Sequence, residues 1–165
     1  MNPSLQYQAI EPLFNILRQE ISEYGALICL LNEQQKLIFF RDALGLVDTN
    51  KLIEKQISFI SELQTKRYGL IESLKASSAK SVHKVEDFLD LCPAPLRNLL
   101  KDLIDNLILL TQKISDKNKQ NSLYLEKALK ENQSLFKKLM SQAHVATYNK
   151  KGSLSLSSTK VRANN

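Results

Sequence analysis

Apolar residues recur along this chain at alternating steps of four and three in two stretches, a third carries two adjacent apolar lines at helical spacing, and each of the three predicts a helix. The longest covers residues 95–143, where no Gly and, after Pro95, no Pro interrupts the pattern. It amounts to about 49 residues and roughly 70 Å of helix. Its seam reads Leu96, Leu100, Leu103, Leu107, Leu110 and Ile114, then Asn118, Asn121, Leu125, Ala128, Asn132, Leu135 and Leu139. This is a coiled-coil seam with one stutter, placed where two steps of four follow each other. The first half is wholly aliphatic and predicts burial against other helices. In the second half three of the seven positions are Asn, which a dry core penalises. The helix is therefore expected to outrun its partners within the chain. The exposed half then serves one of two ends: its Asn residues fix register in a homo-oligomer, or it offers a docking face to another protein's helix or tail.

The remaining pattern sets the architecture. A first helix over about residues 4–40 carries Ile10, Phe14, Leu17, Ile21, Tyr24, Ile28, Leu31 and Ile38 on one seam. Pro12 suits only a first turn, which allows a start as late as Ile10 or Glu11. Gly45 is the expected reversal, with Asp48 or Thr49 capping a second helix over residues 48–76. That helix shows two apolar lines, Leu52, Phe59, Leu63, Leu70 and Leu74 beside Ile53, Ile57, Ile60 and Ile71, a face wide enough to place it at the centre of the packing. Residues 77–81 read as a solvated connection, and a short helix over 82–90 ends at Cys92-Pro93-Ala94-Pro95. Beyond residue 143 periodicity is lost. The expected fold is all-α: an elongated antiparallel bundle of three long helices with a short connecting helix (residues 1–143) and a flexible basic C-terminal tail (144–165).

Charge sharpens the division between bundle and tail. Residues 1–116 carry a net of −2 and residues 117–165 a net of +8, so all the basic excess lies in the last quarter. Such an end attracts an acidic protein surface, an anionic membrane or nucleic acid. The lysines Lys117, Lys119, Lys127, Lys130, Lys137 and Lys138 sit in no familiar nucleic-acid-binding motif, which makes nucleic acid the weaker choice. Aliphatic runs such as residues 107–110 are too short to span a bilayer, and the N-terminus lacks the basic region and apolar run of a signal peptide; a cytoplasmic protein is expected.

Candidate chemistry is sparse. Cys29 and Cys92 form no C-x-x-C pair and read as small buried apolar residues. His83 and His144 have no nucleophile or carboxylate tied to them by a motif, and the four isolated glycines make no phosphate loop. Acidic pairs such as Glu20 with Glu23, and Asp102 with Asp105, read as solvated helix faces. Neither catalysis, a metal nor a cofactor is indicated.

Several stretches then point one way together. The run Glu62-Leu63-Gln64-Thr65-Lys66-Arg67 followed by Leu70, the run Asn118-Lys119-Gln120-Asn121 with Leu125 and Asn132 behind it, and Tyr148-Asn149-Lys150-Lys151-Gly152 after the last helix resemble, in order and spacing, the FlgN family of flagellar type III export chaperones. The resemblance implies a cytoplasmic, non-enzymatic chaperone without cofactor. Its clients would be the C-terminal regions of the hook–filament junction proteins FlgK and FlgL, and it would deliver them to the cytoplasmic domain of the export-gate protein FlhA. Under it, Leu125, Leu129, Leu135, Phe136, Leu139 and Met140 supply apolar contacts to a client helix, and Asn118, Asn121 and Asn132 fix its register. Tyr148 and Gly152 take the family's gate-docking positions. The extension after Gly152 has no counterpart in that pattern. A self-associating structural coiled coil and a chaperone of a related non-flagellar type III system are the competing readings.

Overall fold

The structure, a computed structural model, describes residues 3–76, 89, 92, 94–142, 146–148 and 154–156. Three long helices hold nearly all of them: α1 (Pro3–Phe40), α2 (Ala43–Ala76) and α3 (Ala94–Gln142). The all-α expectation holds. The expected short helix at residues 82–90 falls outside the described residues apart from Leu89, as do His83, His144 and Gly152. By its contacts the chain divides into two compact units, Met1–Leu125 and Glu126–Asn165, with the boundary inside α3.

In the first unit the helices run up, down and up. Along α1 the partners on α2 rise in number as those on α1 fall, from Gln34 with Asn50 to Tyr24 with Gln64. Partners on α3 rise with α1, from Gln35 with Lys117 to Phe39 with Tyr124. The core consists of Ile10, Leu13, Phe14, Leu17, Tyr24, Leu27 and Leu31 from α1, Ile53, Ile60 and Ile71 from α2, and Leu100, Leu103, Ile104 and Leu107 from α3. The centre is thus α1, not α2 as the apolar pattern predicts. Both of α2's apolar lines are divided: Ile53, Ile60 and Ile71 of one and Leu63 of the other are buried, while Ile57 of the first and Leu52 and Phe59 of the second are exposed. An apolar line shows that a face tolerates burial and does not guarantee a neighbour to bury it.

Four local features also differ from expectation. Pro12 lies well inside α1 instead of in its first turn. Its missing N–H and its ring cost a helix interior about 3 kcal/mol, and the burial of Ile10, Leu13 and Phe14 around it offsets that. The reversal falls at Arg41-Asp42, ahead of Gly45. Arg41 takes the left-handed conformation (φ 56°), its N–H donates to the carbonyl of Ile38 at 3.2 Å, and the N–H of Asp42 donates to the carbonyl of Leu37 at 3.0 Å. Asp42, not Asp48 or Thr49, caps α2, its Oδ1 accepting from the N–H of Gly45 at 2.9 Å. A Cβ on Gly45 would stand 2.6 Å from Asp42 Oδ2 and 2.9 Å from Leu37 Cδ2, so a larger residue there would push aside the capping carboxylate and the Leu37 methyl. Finally, Cys92 is buried as expected but Cys29 is exposed.

The second unit holds the end of α3 and, within the segment read as a tail, two three-residue strands: β1 (Ala146–Tyr148) and β2 (Leu154–Leu156). They pair antiparallel, with Tyr148 opposite Leu154 and Ala146 opposite Leu156.

Candidate interaction surface

The seam of α3 can be followed from a part whose residues are buried to a part whose described residues are exposed. Leu100, Leu103 and Leu107 are buried, and Leu110 and Ile114 pack against the same core. Past the stutter the contacts become polar. Lys117 Nζ donates to Gln35 Oε1 at 2.6 Å. Asn121, 2 % exposed, donates through Nδ2 to the carbonyl oxygen of Leu31 and to Gln34 Oε1, each at 2.8 Å. Gln34 in turn donates to Asn50 Oδ1 at 2.8 Å, so one chain of amides ties α3 through α1 to α2. Tyr124 then meets Phe39, ring centroids 4.9 Å apart, one residue short of the end of α1.

From Leu125 to Met140 every residue except Ala128 is exposed. Leu129, Leu135, Phe136, Leu139 and Met140 are each more than half exposed, and Leu125 less so. At 100° per residue these side chains fall on one side of the helix. The charged residues Lys127, Lys130, Lys137 and Lys138 fall on the other. Glu126 accepts from Lys130 at 2.6 Å, and this bond holds its carboxyl below the usual glutamate range. The exposed apolar residues therefore form one stripe, not a scatter of surface leucines.

The residues the sequence nominated thus separate. Asn118, Leu125, Leu129, Asn132, Leu135, Phe136, Leu139 and Met140 share the exposed stretch of α3. Asn121 does not: its donors are engaged by α1, because the partner helix still runs alongside there. Tyr148 lies in β1, and Gly152 outside the described residues.

Two features escaped the sequence reading. Phe39, Phe40, Leu44 and Val47 are exposed around the α1–α2 reversal. The signal was there, since the runs at residues 37–40 and 43–47 are broader than one helix face. Glu20, read as solvated, is 1 % exposed, with Oε1 3.1 Å from Arg67 Nε. Neither carboxylate oxygen accepts a hydrogen bond among the described residues, and burial lifts its pKa above the ordinary glutamate value against the pull of Arg67. Nearby, Gln64 Nε2 donates to the hydroxyl of Tyr24 at 2.7 Å. Both groups lie between α1 and α2, which assigns them to holding that pair in register. Among the described residues no cluster of three His, Cys, Asp or Glu could hold a metal, and no helix is long and apolar enough to cross a membrane.

Compared with known proteins, the chain is matched over residues 1–155 by the family model described as FlgN protein. No curated protein and no solved structure among those compared matches it.

Proposed function

Since the chain belongs to the FlgN family, whose members are chaperones of flagellar protein export, we propose that it binds the C-terminal regions of the hook–filament junction proteins FlgK and FlgL in the cytoplasm and hands them to the export gate. The observation that carries this reading is the bare stripe on α3. A helix face that packs in one part of the molecule and is open in the next is suited to the apolar stripe of an unassembled client helix. Leu125, Leu129, Leu135, Phe136, Leu139 and Met140 give the apolar contacts, and Asn118 and Asn132 set register. Asn121 belongs to the bundle. The chaperone acts stoichiometrically, covering a surface without making or breaking a bond. Tyr148 and Gly152 are the proposed docking point for the cytoplasmic domain of FlhA.

Light scattering on a sizing column, with the chain alone and then mixed with C-terminal fragments of the organism's own junction proteins, tests the first half of this reading. A defined complex is expected, and charge substitutions at Leu135 or Phe136 should abolish it with helical content unchanged. A stable homo-oligomer indifferent to the fragments would replace the chaperone reading by the self-associating coiled coil. For the second half, Tyr148→Ala should reduce export and leave client affinity as it was; an unchanged export rate removes Tyr148 from the mechanism.

A further inference from the structure

Within residues 1–125 the bundle has an open surface of its own. There α1 and α3, which run the same way, leave between them a groove of about 660 Å³. Ile28 and Asn32 line it from α1, and Lys113, Lys117, Lys119 and Leu123 line it from α3. Ile28 is half-buried and Leu123 is 65 % exposed, so each wall offers apolar surface. The charge of the lining is one-sided, three lysines against the single acid Asp116. Asp116 accepts from Gln112 Nε2 at 2.9 Å, and Lys117 is held by the neutral amide of Gln35. Among the described residues no carboxylate comes within ion-pair reach of Lys113, Lys117 or Lys119.

We propose that this groove docks an acidic amphipathic helix of another protein, whether or not the stripe on residues 125–140 takes a client. Both walls are helices whose backbone bonds are already made. An extended segment finds no strand edge there to pair with, whereas a helix satisfies its own backbone and needs only side-chain contacts. Lys113 and Lys119 stand about 9 Å apart along the axis of α3. That is close to two turns, so carboxylates at i and i+7 of the incoming helix reach both, and aliphatic residues beside them cover Ile28 and Leu123. A second copy of the chain is a poor source of such a helix. Its own run of carboxylates among apolar residues, 85–91, includes Leu89, which packs against the core of its own bundle. A flat bilayer does not reach the half-buried Ile28, and a phosphate backbone gains nothing from Ile28 or Leu123.

The test uses the full chain and two labelled helical peptides that share one leucine stripe. One carries glutamates at i, i+3 and i+7 beside the stripe, the other lysines. Fluorescence anisotropy should find the glutamate peptide bound about tenfold or more tighter. Lys113→Glu combined with Lys119→Glu should reverse that preference, and Leu123→Ser should weaken the glutamate peptide severalfold. Lys55→Glu combined with Lys101→Glu, an equal change of net charge at exposed lysines outside the groove, should keep the preference, as should Leu135→Ser on the stripe; circular dichroism should be unchanged throughout. Equal binding of the two peptides, or the same reversal from the Lys55 and Lys101 pair, would overturn the proposal. So would binding of neither peptide together with capture of an oligonucleotide or of phosphatidylglycerol vesicles that the Lys113 and Lys119 pair abolishes. Failure of the junction-protein fragments to bind would strike the stripe reading and leave this one standing.

Discussion

Leu100 and Leu135 occupy the same kind of seam position on one uninterrupted helix, yet Leu100 is fully buried while Leu135 is 54 % exposed. The asparagines repeat the contrast. Asn121 is enclosed and donates twice to α1, while Asn132 stands on the exposed stretch. What changes is the neighbour, since α1 ends at Phe40, opposite the turn of α3 that carries Tyr124. A seam records which face of a helix requires cover, and the length of the adjoining helix decides how much of that cover comes from within the chain.

The sharpest way to break this comparison is to put the same charge at both positions. Leu100→Asp should cost about 4 kcal/mol or more, because it leaves a carboxylate in a dry core. Leu135→Asp should change stability by no more than about 0.5 kcal/mol. Denaturant melts followed by circular dichroism measure both; a large loss at Leu135 would mean that the exposed stretch is part of the folded core.

Carboxylates extend the comparison to pH. Burial raises the pKa of Glu20, and the bond from Lys130 lowers that of the exposed Glu126. Arg67→Leu removes the charge facing Glu20 and should cost about 2–4 kcal/mol at neutral pH. For Glu20 itself, the folded chain holds the proton more tightly than the unfolded chain does. The associated stability is complete below the ordinary value of 4.5 and is lost as pH rises through the raised folded value. The stability of the natural chain relative to Glu20→Gln should therefore fall as pH climbs from 4.5 and then level off. A difference that is flat or rises with pH would show that Arg67 outweighs burial.

Much of this was legible in the sequence, and the failures share one origin. Steps of four and three marked α1 and α3, two adjacent apolar lines marked α2, and seam asparagines marked the stretch of α3 where apolar cover ends. Periodicity reports faces, not neighbours. It could not place α1 at the centre, because α2 displays the wider apolar surface even though Leu52, Ile57 and Phe59 on it face solvent. It read Glu20 as solvated for the same reason, since a charge within a helical pattern signals water unless its partner, here Arg67 some 47 positions later, is known to stand opposite. The reversal at Arg41-Asp42 was missed because a non-glycine residue takes the left-handed position there, and Gly45 serves another purpose. Asn121 was assigned outward because the point at which α1 stops is a property of two helices together.

Asn121→Leu and Asn132→Leu carry the contrast to smaller energies. The first removes two hydrogen bonds to α1 from a buried site and should destabilise by about 1–2 kcal/mol. The second should stay within about 0.5 kcal/mol. Equal losses would place Asn132 in an enclosed contact and shorten the stretch available to a partner.

The smallest effect should mark the boundary itself. Phe39 and Tyr124 meet with ring planes tilted by 48°, an arrangement worth about 0.5–1.5 kcal/mol beyond the area it buries. Phe39 is 60 % exposed, so that area is small and Phe39→Ala should fall near the lower end of the range. The informative readout is positional. Amide hydrogen exchange should accelerate in the last turn of α1 and around residues 120–125 of α3, where Gln120 donates to the Tyr124 hydroxyl at 3.1 Å. Residues 130–140, exposed throughout, should exchange as they did before. If the substitution loosened residues 130–140 as well, the two halves of α3 would be mechanically one element, and the seam would not end where α1 ends.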